Sequence, residues 1–175
     1  ERVQIARGQH GMFIVHPRPP RGPAVARDYA MMTHEWRIDV GARRPDPATM
    51  TDFNVLTFNA KVFPGTEPLH AYVGERIRIR LGNLSAMDHH PVHLHGLNFV
   101  ITATDGGFVP KSAQYPETTV LVAVGSTQDW DGSSTEILIE AVDASLTVAL
   151  GKLPSENSAE PRQVIFGLPE SWVMS

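Results

Sequence analysis

Residues 74–84, GERIRIRLGNL, alternate without a break: Ile77, Ile79 and Leu81 fall on one side of an extended chain, and Arg76, Arg78 and Arg80 on the other. A helix would scatter these residues around its circumference, so the pattern dictates a β-strand with one buried face. The arginine side reads as a solvated sheet face. A second stretch, YAMMTHEWRIDV, puts Ala30, Met32, His34, Trp36, Ile38 and Val40 on one face and Thr33, Glu35, Arg37 and Asp39 on the other, which predicts a half-buried strand. FNVLTFNAKVF, with Val55 and Phe58, reads as a further strand, LNFVITATDGG as a strand ended by a turn at Gly106-Gly107, and the apolar TTVLVAVG as a buried strand. Fourteen prolines and fourteen glycines punctuate these segments, which favours many short strands joined by turns. The expected fold class is an all-β sandwich or barrel.

The remaining totals exclude more than they assert. A chain of 175 residues builds one good core with appended material. The formal charge of −4, with lysines and arginines scattered, offers no basic face for nucleic acid. No apolar run reaches the roughly twenty residues of a membrane span, and no signal peptide opens the sequence. The absence of cysteine removes disulfides, cysteine nucleophiles and any copper–thiolate bond within these residues.

Organisation along the chain is uneven. GMFIVHP (Gly11 to Pro17) reads as an apolar strand that begins abruptly, as in a segment cut from something longer, and HPRPPRGPAVA reads as a proline-rich connector. Tyr29 to about Gly125 forms a compact antiparallel unit. Beyond Thr127 the character changes: EILIEAV and SLTVALGKL are candidate strands, PSENSAEPR is polar, and the stretch contains no histidine.

Chemistry concentrates in HHPVHLHG, residues 89–96, which holds half of the eight histidines. Residues two apart on a strand point to the same side, about 6.6 Å from one another, so His93 and His95 are expected to present imidazoles to one face. Pro91 belongs at a strand entry or edge and lets His90 address a different site. Neutral imidazole suits copper, zinc, iron and nickel, and no carboxylate cluster favours calcium. His90, His93 and His95 are therefore the candidate metal ligands. His89 reads as structural or exposed, and His34 and His70 as satisfied core or surface histidines. Met31, Met32, Met50 and Met87 read as gap fillers. A cupin-type site lacks its glutamate after H-x-H, where GLNFVIT follows. A mononuclear zinc hydrolase lacks a placed general base, with Asp88 the sole adjacent carboxylate.

The stretch NAKVFPGTEPLHAYVGERIRIRLGNLSAMDHHPVHLHGLNFVITATDGG resembles the cupredoxin domain of bacterial multicopper oxidases, the family of laccases and copper-resistance oxidases. The likeness runs from about Met32 to Ser126, and GQHGMFIVHPRPP resembles the closing strand and linker of a preceding cupredoxin domain. The resemblance implies a Greek-key cupredoxin-like β-sandwich, copper as cofactor, and oxidation of a small-molecule or metal-ion reductant with dioxygen reduced to water. By it His90 falls to the blue copper, His93 to the type 2 copper and His95 to a type 3 copper. It implies partnership with other cupredoxin domains or chains, and a periplasmic or extracellular location. It divides the chain into a strand remnant (1–16), a linker (17–28), the cupredoxin domain (29–126) and a divergent tail (127–175). The sequence departs from the family where an H-C-H motif should follow VAVGST and QDWDGSSTEILIEAV stands instead, and where Arg2 replaces an expected histidine. The chain alone is accordingly expected to be inactive. Two other readings stay open: a non-catalytic cupredoxin interaction or scaffold module, and a mononuclear copper carrier.

Overall fold

The computed structural model describes residues 2–72, 74–95, 98–133, 138–141 and 146–148. A short helix α1 (Arg2–Ala6) precedes strands β1 (Arg27–Trp36), β2 (Val55–Phe58), β3 (Arg76–Asn83), β4 (His90–His95), β5 (Phe99–Thr104) and β6 (Gly107–Phe108). A 3-10 turn (Lys111–Ala113) is followed by β7 (Pro116–Glu117), β8 (Thr119–Val122), β9 (Thr127–Ser133), β10 (Leu138–Ala141) and β11 (Leu146–Val148). They build a two-sheet sandwich. One sheet has seven strands in the order β2-β1-β3-β9-β5-β6, with β7 also pairing β5; the other is β11-β10-β4-β8. The all-β, cupredoxin-like expectation is met.

The alternation of β3 sets the interior. Ile77, Ile79 and Leu81 are each 2% exposed and lie in one core with Met31, Phe58, Phe99 and Trp130 of the same sheet and Val92, Leu94 and Val122 of the facing one. Phe99 stacks on Trp130 with ring centroids 4.5 Å apart.

The arginine side of β3 is not the solvated face expected. β3 pairs β9 with Arg78 opposite Asp131 and Arg80 opposite Asp129, so opposite charges meet across the ladder. Arg78 Nε and Nη2 donate to the two oxygens of Asp131 at 2.6 and 2.9 Å, and Arg76 Nε reaches the same carboxylate at 3.3 Å. Arg80 holds Asp28 through two bonds of 2.7 Å and Asp129 at 2.5 Å. The Asp131 side chain is fully buried, so these bonds compensate its removal from water.

Two strand readings change in the same way. β1 turns Met31, Thr33 and Glu35 inward, because Met31 pairs with Leu81 and shares its orientation, while on the other face Ala30 is exposed but His34 and Trp36 are buried as well. The turn that was expected to continue as strand leaves Val40 fully exposed. β8 alternates as a sheet-edge strand, with Val122 buried and Leu121 outward, instead of being buried throughout. The turn after β5 falls at Asp105-Gly106, both with positive φ (48° and 76°), one residue before the expected pair.

Thr127–Ser133, read from sequence as the start of a divergent tail, forms the strand between β3 and β5, and Trp130 is 1% exposed. The sandwich therefore extends past Ser126. The candidate strands EILIEAV and SLTVALGKL supply β10 and β11; the polar segment and QVIFGL lie outside the described residues. Residues 11–17 make no ladder, yet Met12 and Ile14 are half-buried while Phe13 and Val15 are exposed. Among the described residues no helix is long and apolar enough to cross a membrane.

Candidate metal centre

Strand alternation divides the histidines of β4. His90, Val92 and Leu94 turn into the sandwich, and Pro91 and His93 lie half-buried on the outer side. The outward strand direction at Pro91 costs no ladder position that its missing N–H would have filled near the entry of β4. His90 is thereby separated from His93 by unbroken strand alternation, not by the departure from it expected at Pro91.

Inside, His90 Nε2 lies 2.8 Å from Ser85 Oγ and 3.5 Å from Glu35 Oε1. Ser85 sits in the loop from β3 to β4, and one amide holds that loop. The buried Asn83 side chain accepts from Ser85 N (2.8 Å) and from Thr33 Oγ1 (3.2 Å), and donates to the carbonyls of Asp88 and Val122, both at 2.9 Å. The end of β3, the end of β8 and the approach to β4 are tied to one residue, which fixes where His90 enters the core. Sequence reasoning placed neither Ser85 nor Glu35 beside the histidines. For Glu35 the available signal was its parity with Met31, once Met31 is known to face inward.

Outside, His93 Nδ1 lies 2.6 Å from Thr119 Oγ1, its direct cross-strand neighbour on β8. His95 pairs with Leu138 at the other side of the strand. His89 is exposed and accepts from Val124 N at its Nδ1 (3.0 Å), in line with a structural role. Among the described residues no group of three or more His, Asp or Glu side chains is close enough to hold a single ion. His90 and His93, on opposite sides of β4, do not converge on one point.

His34 and His70 are engaged by protein groups. His34 Nδ1 lies 2.7 Å from the Leu84 carbonyl, and its ring is edge-on to Trp36 with centroids 4.2 Å apart. Burial holds its imidazole below the ordinary value, with the Leu84 carbonyl opposing and His10 adding to the lowering. The backbone N–H of His70 donates to Tyr29 Oη, whose hydroxyl donates to the His70 carbonyl. Of the methionines read as gap fillers, Met31 is in the core, whereas Met50 and Met87 are exposed.

Behind Glu35 lies a cavity of about 380 Å³. Its walls are mostly apolar, with Trp36, Met50, Phe53, Leu84 and Val124 among them, and Ile5 and Ala6 of α1 form one side. Glu35 and Ser85, the two partners of His90, both border it. A small apolar molecule fits this volume.

Comparison with known proteins gives these features a family. Residues 39–130, just over half of the chain, match the family model described as multicopper oxidase. The multicopper oxidase MmcO of Mycobacterium tuberculosis is 32% identical over 74 residues, covering 42% of this chain and 13% of that protein. Among solved structures, the blue copper oxidase of Nitrosomonas europaea aligns with a TM-score of 0.62 and 26% identity, over 85% of this chain and 46% of that one. The multicopper oxidase mgLAC aligns at 0.58 and 27%, over 74% and 41% respectively. The chain thus spans less than half the length of each. With the sandwich, the H-x-x-H-x-H strand and a match of this extent in agreement, the chain belongs to the multicopper oxidase family.

Proposed function

We propose that this chain is a copper-binding cupredoxin domain of an oxidoreductase whose complete form oxidises a small reductant or a metal ion and reduces dioxygen to water. The carrying observation is that His90 and His93 occupy opposite faces of β4, each with a hydroxyl at one ring nitrogen. A ligating imidazole takes its orientation and tautomer from such an outer partner. Under this reading His90 serves the blue copper, His93 the type 2 copper and His95 a type 3 copper.

The donor set fits this assignment in part. Imidazole is a good copper ligand, but the 175 residues hold no cysteine for the blue site, and three histidines fall short of a full cluster. Other cupredoxin domains or chains therefore complete the ligand sets, and this chain alone is inactive. Bound copper supplies one-electron transfer and the reduction of dioxygen. The chain's own residues hold protons and rings: Ser85 and Glu35 keep a proton on His90 Nε2, which makes Nδ1 the nitrogen for the metal, and Thr119 fixes the His93 ring. A periplasmic or extracellular location accords with this reading.

Copper(II) titration of the metal-free chain, followed by electron paramagnetic resonance and by oxygen uptake with a phenolic donor, tests it. The expected result is an imidazole-type copper signal, about tenfold or more weaker in affinity for His93→Ala, without intense blue absorption or turnover. Blue absorption and turnover from this chain alone would overturn its incompleteness. Unchanged affinity in both His90→Ala and His93→Ala would overturn the copper reading and leave an interaction module.

A further inference from the structure

Two histidines outside β4 present the same donor atom from different parts of the chain. His10, in the segment after α1, lies beside His34 of β1 with ring centroids 4.8 Å apart and planes tilted by 43°. We propose that His10 and His34 form a separate metal site, a two-imidazole clamp that takes one divalent ion of the zinc and copper class through the Nε2 atom of each ring.

The hydrogen bonds select that atom. His34 Nδ1 is 2.7 Å from the Leu84 carbonyl, and His10 Nδ1 is 3.2 Å from the Ile5 carbonyl. A carbonyl only accepts, so each Nδ1 carries the proton and each Nε2 carries the lone pair. A backbone carbonyl at the far nitrogen is a common outer partner of a metal-bound imidazole. Among the described residues neither Nε2 makes a hydrogen bond of its own.

The spacing suits a shared ion. Two imidazoles bound at about 2.0 Å to one tetrahedral ion hold their ring centres about 5 Å apart, close to the separation of this pair. The tilt sets the arrangement apart from face-to-face stacking. One indole orients both rings: Trp36 meets His34 edge-on at 4.2 Å and lies more nearly parallel to His10, with 26° between the planes, at 6.0 Å. Trp36 Nε1 donates to Thr57 Oγ1 at 2.9 Å, and that hydroxyl donates to the His34 carbonyl at 2.9 Å. The indole and the backbone carrying His34 are thus fixed to one residue of β2. Ligands set in place before the ion arrives lose less freedom in binding it.

Among the described residues no third His, Asp or Glu joins the pair, so water completes the coordination. His10 is half-buried, and His34 borders the cavity of about 380 Å³, which leaves room for that water. Neutral imidazole suits zinc and copper, whereas calcium and magnesium require oxygen ligands that the pair lacks. Arg37, which also borders the cavity, is matched by Asp39 and Asp52 and adds no uncompensated positive charge there.

Zinc(II) titration of the metal-free full chain, read on the imidazole ¹⁵N resonances, tests the site. The Nε2 signals of His10 and His34 should shift together and saturate at the same zinc concentration. His10→Phe keeps a ring beside Trp36 without a lone pair, and should weaken the response at His34 by about tenfold or more, since losing even an outer partner of a ligand costs that much. His16→Phe, at an exposed histidine, should leave the response unchanged. An unmoved His34 signal, or separate midpoints for the two rings, would overturn the site on the parent chain alone, whatever the variants do. An equal response in His10→Phe would overturn it as well. The histidines of β4 report through their own resonances, so this site stands or fails apart from the copper reading above. His93→Ala should therefore preserve the shifts at His10 and His34, and their loss in that variant would overturn the clamp.

Discussion

The outer faces of β3 and β4 are built from the same alternation and spend it differently. On β3 the arginines meet opposite charges on the neighbouring strands, and the set Asp28, Asp129, Asp131, Arg78 and Arg80 is satisfied within the protein. On β4 the outer face offers Pro91 and His93, with Thr119 and the exposed Leu121 beside them on β8. The first face is closed chemistry that stabilises a sheet. The second leaves the His93 imidazole half-buried at the outer face, where the proposed copper site would use it.

The largest expected effects come from the closed side. Trp130→Ala removes the most deeply buried large side chain, stacked on Phe99, and should cost about 3–5 kcal/mol in chemical denaturation. Asp131→Ala leaves Arg78 without its bidentate partner in a half-buried place and should cost roughly 3 kcal/mol. If either loss is small, the β3–β9 face is less essential than its geometry implies. On the open side the order reverses. His93→Ala should change stability by no more than about 0.5 kcal/mol, and Thr119→Val should weaken copper binding by about tenfold, measured by competition with a chelator, while leaving the fold intact. A large stability loss in His93→Ala would erase the contrast.

The smallest effect is one of pH. Burial raises the Asp129 carboxyl above its ordinary value, against the lowering by Arg80 and Arg78. The folded state therefore favours its protonated form, and stability falls as pH rises from the ordinary aspartate value through the raised one. Denaturation midpoints across the acid range should show this decline, and Asp129→Asn should flatten it.

How much of this was legible follows from where each signal lies. Ile77, Ile79 and Leu81 declare their face without help, because a three-fold alternation has one interpretation. The separation of His90 from His93 was read from Pro91, whereas it is the unbroken alternation of β4 that sends the two side chains apart. β9 was not legible, because Thr127, Asp129 and Asp131 make a polar run until the facing arginines are known. The side taken by Glu35 also depends on a partner: its carboxylate points inward to where His90 stands. Residues 11–17 carry the alternation of a strand, and Met12 and Ile14 do settle inward, but periodicity does not say whether a neighbour stands alongside to complete a ladder. What the sequence withholds in each case is the identity of the neighbour.

The charge ladder between β3 and β9 also bears on how the chain finds its shape. A slip of one position along β3 would turn its three guanidinium groups toward the isoleucine layer's side of the sheet, and one along β9 would reverse Asp129 and Asp131 away from them. Such mispaired forms lose every ionic match at once, so the ladder acts as a key that fits a single alignment and discards the near misses during assembly.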